Sequence, residues 1–116
     1  KMPNLFYGAT SFDKPIGNWN VSKVTNMSRI FQGSTAFNQN LSGWNVEHAD
    51  LHKMFLSAES FDQHLGWCLN NPEDRMSDSF EGAGCESNSC GVHSNETYVE
   101  FEAHMKEEGV YRFSMC

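Results

Sequence analysis

Phenylalanine recurs down this chain at Phe6, Phe31, Phe55 and Phe80, at spacings of 25, 24 and 25 residues, and nothing else in the sequence narrows the possible folds as much. Four residues before each of them stands Met2, Met27, Leu51 or Met76. Six residues after the first three comes a second column, Phe12, Phe37 and Phe61, and ten after them a third, Ile16, Leu41 and Leu65. A tryptophan closes each copy, at Trp19, Trp44 and Trp67. Five apolar columns in step mark an internal repeat. One such repeat is too small to cover its own apolar face and must stack on a neighbour.

The expected fold is therefore an α/β solenoid of roughly 25-residue repeats, each with a short parallel strand segment or two and a short helical turn. Met27 and Phe31 stand at i and i+4 with Ile30 at i+3, which reads as one helical turn with an apolar side. Gly8, Gly33 and Gly82 follow the phenylalanine by two and end that turn, since glycine accepts positive φ. Phe12 to Ile16 and Trp19 to Val24 carry the strand-forming residues, with Pro15, Gly17 and Asn18 as the bend between them.

The division expected is a repeat solenoid over 1–84, with a half repeat at 1–6 and repeats at 6–31, 31–55 and 55–80, followed by a cysteine-containing C-terminal cap at 85–116. Copy three gains a residue after Trp67, at Asn70 to Asp74, which reads as a surface bend. Beyond Phe80 the pattern breaks, because Glu86 stands where a second-column phenylalanine belongs. In the tail, Tyr98, Val99, Phe101 and Met105 have a partly helical spacing, and Val110 to Phe113 alternates like an edge strand. The chain begins in mid-repeat, so further repeats are expected before Lys1 in the parent protein.

All four cysteines, Cys68, Cys85, Cys90 and Cys116, fall in the last half, where the repeats decay. That placement suits disulfides stapling a cap, and four cysteines allow three connectivities. Cys68–Cys90 and the short Cys85–Cys90 loop are the favoured pairings. The formal charge of −7, with eight Lys and Arg scattered singly, excludes a basic stripe of the kind that neutralises phosphates. Nucleic acid is not an expected partner. No apolar run approaches the roughly 20 residues that span a bilayer, so no membrane insertion is expected within this segment.

The stretch 18–46, NWNVSKVTNMSRIFQGSTAFNQNLSGWNV, resembles the bacterial surface protein repeat of about 26 residues, a relative of the BspA-type leucine-rich repeats. Such repeats also occur in mycoplasma-type lipoproteins and in protists and algae. The resemblance rests on Trp-Asn-Val-Ser at 19–22, Val-Thr-Asn-Met-Ser at 24–28, Phe-x-Gly at 31–33 and Phe-Asn-Gln at 37–39, and covers about residues 1–84. It implies an adhesion-type repeat domain, secreted or at the cell surface, and supplies no catalytic residues.

The polar candidates each have a plain structural reading beside the functional one. The column Asp13, Asn38 and Asp62 reads as Asx residues bonding turn backbone within their own rung, against a calcium site of oxygen ligands. His48 and His52, four apart, would share a helical face. Histidines also stand at His64, His93 and His104, and Cys85, Cys90 and His93 could join Cys68 as a mixed zinc set, although the gap from Cys85 to Cys90 is wide for one. Sequons stand at Asn20, Asn26, Asn40 and Asn95. The first two belong to the repeat's own wording, so Asn40 and Asn95 are the stronger glycosylation candidates.

No serine or cysteine stands in a nucleophile elbow and no glycine-rich phosphate loop follows a strand. The function expected is non-catalytic: an extracellular or cell-surface repeat domain binding a protein or glycan, with neither cofactor nor metal. Lys14, Lys23, Glu47, His52, Lys53 and Gln63 are its candidate contact residues. The alternative is a structural subunit of a surface filament, with copies of the chain packing end to end.

Overall fold

The computed structural model describes residues 3–94, 98–103 and 109–114, which places Met2, Asn95, His104, Met105 and Cys116 outside the described residues. Regular elements are few: β1 (Cys68–Leu69), α1 (Pro72–Arg75), β2 (His93–Ser94), β3 (Tyr98–Ala103) and β4 (Gly109–Ser114). Strands β1 and β2 pair in parallel, Cys68 opposite His93, and β3 pairs with β4 antiparallel, Tyr98 opposite Ser114. The partly helical spacing of the tail is thus overridden. Tyr98, Val99 and Phe101 sit in a strand, which a long hairpin partner stabilises by closing its backbone bonds.

Most of the order lies in backbone bonds between equivalent positions of successive windows. The N–H of Phe6 donates to the C=O of Ile30 (2.9 Å), that of Phe31 to Met54 (3.0 Å) and that of Phe55 to Ser79 (3.0 Å). Residues two before and two after do the same, as Arg29 to His52 (2.9 Å) and Gly33 to Leu56 (2.8 Å). The intervening N–H groups turn inward along the chain, Ile30 to Met27 (3.3 Å) and Gln32 to Arg29 (3.1 Å). Every second amide therefore ties one window to the next, and the others close tight turns within it.

That alternation replaces the expected helical turn at Met27–Phe31. A helix would need right-handed φ throughout, but Asn4, Arg29, Lys53 and Asp78 hold φ of 62, 60, 55 and 58°, one per window. Four residues later comes a second left-handed position, taken by Gly8, Gly33 and Gly82 and, in the third window, by Ser57 at φ 59°. The ladder of bonds between windows is what holds non-glycine residues in this region.

In-register pairing brings equivalent side chains face to face. Phe6, Phe31, Phe55 and Phe80 follow one another with ring centroids 5.5, 5.6 and 5.5 Å apart, and Phe12, Phe37 and Phe61 at 5.7 and 6.0 Å. Within a window the two columns also stack, Phe31 on Phe37 at 4.1 Å. Strand backbones pair at about 4.8 Å, and tilted rings settle slightly farther apart. Met27, Phe31, Phe37, Leu41, Leu51, Phe55 and Phe61 are wholly buried, and Ile16, Leu65 and Met76 nearly so. Phe6, Phe12 and Phe80 pack against this core half-buried.

The tryptophans divide. Trp44 Nε1 donates to the carbonyl of Ile16 (3.0 Å) and Trp67 Nε1 to that of Leu41 (3.3 Å), each one window back, so both indoles are buried with their N–H satisfied. Trp19, expected in the core, is instead 43 % exposed. It belongs to the first described window, where its ring meets that of Phe6 at 6.0 Å.

The strand segments expected at Phe12–Ile16 and Trp19–Val24 are also corrected. Among the described residues neither segment forms a strand; the nearest parallel bridge joins Asn26 with Asp50, and β1 pairs with β2 farther on. Pro15 has no N–H to give, and asparagine side chains take the donors that a ladder would use. The insertion in copy three forms α1: Pro72 sits at its start, Asn71 enters it in the left-handed conformation, and Glu73 and Asp74 lie at its positive end. Layering continues past Phe80, for Leu65 N–H donates to Cys90 C=O (2.6 Å) and His93 N–H to Trp67 C=O (2.9 Å). Cys90, fully buried, takes the place above Leu65.

Candidate functional site

The column Asp13, Asn38 and Asp62 lies on the outside, where extended segments lack backbone partners. Asp13 Oδ1 accepts the N–H of Asn38 (2.9 Å) and the side-chain amide of Gln39 (2.8 Å). Asn38 Oδ1 accepts the N–H of Asp62 (3.0 Å) and the amide of Gln63 (2.8 Å). These side chains bridge windows and do not bond within their own rung as expected, because in-register layering sets each beneath the backbone of the next copy. Donation from Asn38 first, and from Gln39 second, holds the Asp13 carboxyl below its ordinary range, with Lys14 adding a smaller pull. Gln63, expected as a contact residue, is engaged in this ladder.

Short Asx turns recur along the same side. Asn20, Asn26, Asn40, Asn45 and Asp50 each accept, through Oδ1, the N–H of the residue two on. In the first two the sequon hydroxyls of Ser22 and Ser28 also donate to that oxygen at 2.7 Å. Asn20 and Asn40 are exposed and Asn26 half-buried. Lys14, Lys23 and Glu47 are exposed, while His52 and Lys53 are half-covered.

Beside these turns run two shallow clefts that share Ser42. One, of about 330 Å³, is lined by Pro15, Gly17, Asn18, Gln39, Asn40 and Gly43. The other, of about 310 Å³, is lined by Trp44, Asn45, Glu47, Gly66 and Asn70 among others. Together they form a groove of amides, hydroxyl and backbone. Gly17 shapes its floor, since a Cβ there would collide with the carbonyl of Asn40. Of this lining, sequence reasoning singled out Glu47 as a contact residue, Asn40 as a glycosylation candidate and Pro15, Gly17 and Asn18 as a bend; the run of turn residues at 39–43 was the further available signal.

Arg75 is a cation drawn partly inward. Its guanidinium donates to the carbonyls of Val46, Ala49 (2.9 Å from Nη2) and Asn70 (3.5 Å), and burial lowers its pKa. The pattern of columns did not reveal this residue, which occupies the Asn26 and Asp50 position.

The cysteines settle one pairing. Cys85 and Cys90 form a disulfide, Cα atoms 5.6 Å apart, which corrects the Cys68–Cys90 alternative. A five-residue separation needs only a local loop, whereas Cys68 faces β2 at His93. Cys68 is itself disulfide-bonded, and Cys116 lies outside the described residues. Thiolates engaged in disulfides are lost to a zinc site. Among the described residues no group of three or more His, Cys, Asp or Glu side chains could hold a metal ion. His48 and His52 share no helix. His48 stands in solvent 4.0 Å from Glu47, and His64 packs against Gly91, where a Cβ would strike its ring.

The class these features define is a repeat chain whose windows are tied by in-register backbone bonds, with an amide-lined groove on its outer side. The chain belongs to the family described as Mycoplasma protein of unknown function, DUF285, whose profile matches residues 1–91. Neither a curated protein nor a solved structure matches it. Among the described residues no helix is long and apolar enough to cross a membrane.

Proposed function

We propose that the chain is a short solenoid of the bacterial surface repeat type, kin to the BspA-type repeats, serving outside the cell or at its surface as a non-catalytic binding domain. The observation carrying this reading is the groove along Asn18, Gln39, Asn40, Ser42, Asn45 and Asn70, which offers amides and hydroxyls and few charges. A neutral polar ligand, a glycan, suits such a lining better than a phosphate or a peptide with strong charge. Bonds between windows hold the groove's walls, so it is formed before the ligand arrives and binding orders few side chains. A Cys85–Cys90 disulfide is compatible with an oxidising exterior.

The test is a glycan array probed with the intact chain, followed by titration of any hit against Asn18→Ala and Asn70→Ala. Binding weakened by both substitutions, with the melting temperature held, supports the reading. Absence of any glycan bound, or binding indifferent to both, refutes it.

A further inference from the structure

The two clefts of the outer groove are offset from each other. The first lies between successive windows at 15–18 and 39–43, the second one layer on and farther along the chain, at 42–47 and 66–70, and they meet at Ser42. At about 330 and 310 Å³ each stands at the small end of the range of about 300–1,000 Å³ for ligand pockets, room for a sugar or two. Their walls offer both kinds of hydrogen-bonding group. Asn40 Oδ1 and Asn45 Oδ1 are held by the N–H groups of Ser42 (2.9 Å) and Glu47 (3.1 Å), so each offers a ligand its Nδ2 donors. Gln39 Nε2 is spent on Asp13 (2.8 Å) and offers its Oε1 acceptor. Neighbouring sugar hydroxyls, each donor and acceptor, pair with such a set. Trp44 and Trp67 line the second cleft but are only 3 and 4 % exposed, so neither presents a ring face for a sugar to stack on. Contact is then by hydrogen bonds that replace those to water, from which a single sugar gains little. Among the described lining residues the only charged side chain is the carboxylate of Glu47.

We propose, resting on the reading of the groove as a glycan site, that its ligand is an uncharged oligosaccharide long enough to cross Ser42 and fill both clefts at once. The indole bonds beside the clefts, Trp44 Nε1 to the Ile16 carbonyl (3.0 Å) and Trp67 Nε1 to that of Leu41 (3.3 Å), pin the three windows together and fix the clefts relative to each other. A sugar seated in one therefore presents the rest of its chain to the other at high effective concentration, and length supplies the affinity that one weak cleft lacks. Uronic, sialic and sulfated glycans are disfavoured, since they bring an anion to Glu47 with no cation in the lining to meet it.

The experiment is calorimetric titration of the intact chain with glucose, cellotetraose and maltotetraose, with N-acetylglucosamine and its β-1,4 tetramer, and with tetragalacturonate as the acidic counterpart. It is repeated on Asn18→Ala in the first cleft, Asn70→Ala in the second and Gly43→Leu at their junction. A Cβ at Gly43 meets the Gly17 carbonyl at 3.6 Å, an ordinary contact, so the fold accommodates the leucine while the passage between the clefts is narrowed. A neutral tetramer is expected to bind at least about tenfold more tightly than its monomer. Each of the three variants is expected to bring it back towards the monomer's affinity at an unchanged melting temperature, and tetragalacturonate not to bind. The proposal is overturned if no neutral tetramer binds more tightly than its monomer, if the tetramer is weakened from one cleft only, or if tetragalacturonate binds as well. Glycan binding on the array without this gain with length sinks the inference and leaves the reading of the groove standing. An array with no glycan bound sinks both.

Discussion

Asp13 Oδ1 accepts the backbone N–H of Asn38 at 2.9 Å, a bond between residues 25 apart that ties the outer edge of one window to the next. Because donors favour the ionised form, the Asp13 pKa is lower folded than unfolded. The stability it contributes is present above the unfolded pKa and is lost as pH falls through the folded value. The group is almost fully solvated, so the loss is small. Asp13→Asn, which places the Asn38 residue type in the same column, is expected to flatten the fall in melting temperature between about pH 5 and 3. An unchanged acid slope would show that the carboxylate carries none of it.

Phe31 is sealed between Phe6 and Phe55, and Trp19 stands at the open face. Phe31→Ala should cost about 3–5 kcal/mol by denaturant unfolding, transfer and cavity effects together. Trp19→Ala should cost less, about 1–3 kcal/mol, because the ring is 43 % exposed and only its covered part, against Phe6, leaves water. Equal losses would contradict the burial difference.

Ser57 adopts φ 59° where Gly8, Gly33 and Gly82 adopt 67, 72 and 74°. A Cβ in the left-handed region costs about 1 kcal/mol, so Ser57→Gly is expected to stabilise by a similar amount, reduced by the entropy that glycine gains when unfolded. Its side chain makes no hydrogen bond that the change would lose among those found. Thermal unfolding of the pair of proteins decides the sign.

Removing the Arg75 guanidinium leaves the carbonyls of Val46 and Ala49 without their side-chain donor. Arg75→Met keeps the aliphatic stem and is expected to cost about 1–3 kcal/mol, the range for an orphaned buried polar group, here the Ala49 carbonyl, since that of Val46 keeps the N–H of Ala49 (3.1 Å). Arg75→Lys should recover only part, since one ammonium lacks the planar fork that reaches two carbonyls. Full recovery by lysine would show that charge alone matters.

The apolar columns were legible because burial selects residue type at each recurrence: Phe31, Phe37, Phe55 and Phe61 declare an interior wherever they stand. Backbone conformation was less legible. The i, i+4 spacing of Met27 and Phe31 serves a helix and this alternating turn equally, and only the left-handed φ of Arg29 and Lys53 separates them. Those residues carry no intrinsic preference for it.

What the sequence alone determined is the period, the inward columns and the clustering of cysteines in the last half, since each is a choice of side chain that solvent exclusion enforces locally. Tertiary structure decided the rest: which amides pair across windows, that Asp13 and Asn38 bridge copies, that Trp19 lies open while Trp44 is enclosed, and that Cys85 meets Cys90. These depend on what lies one layer above or below. A side chain's neighbours in space are fixed by the register of stacking, and register is a property of the assembled windows.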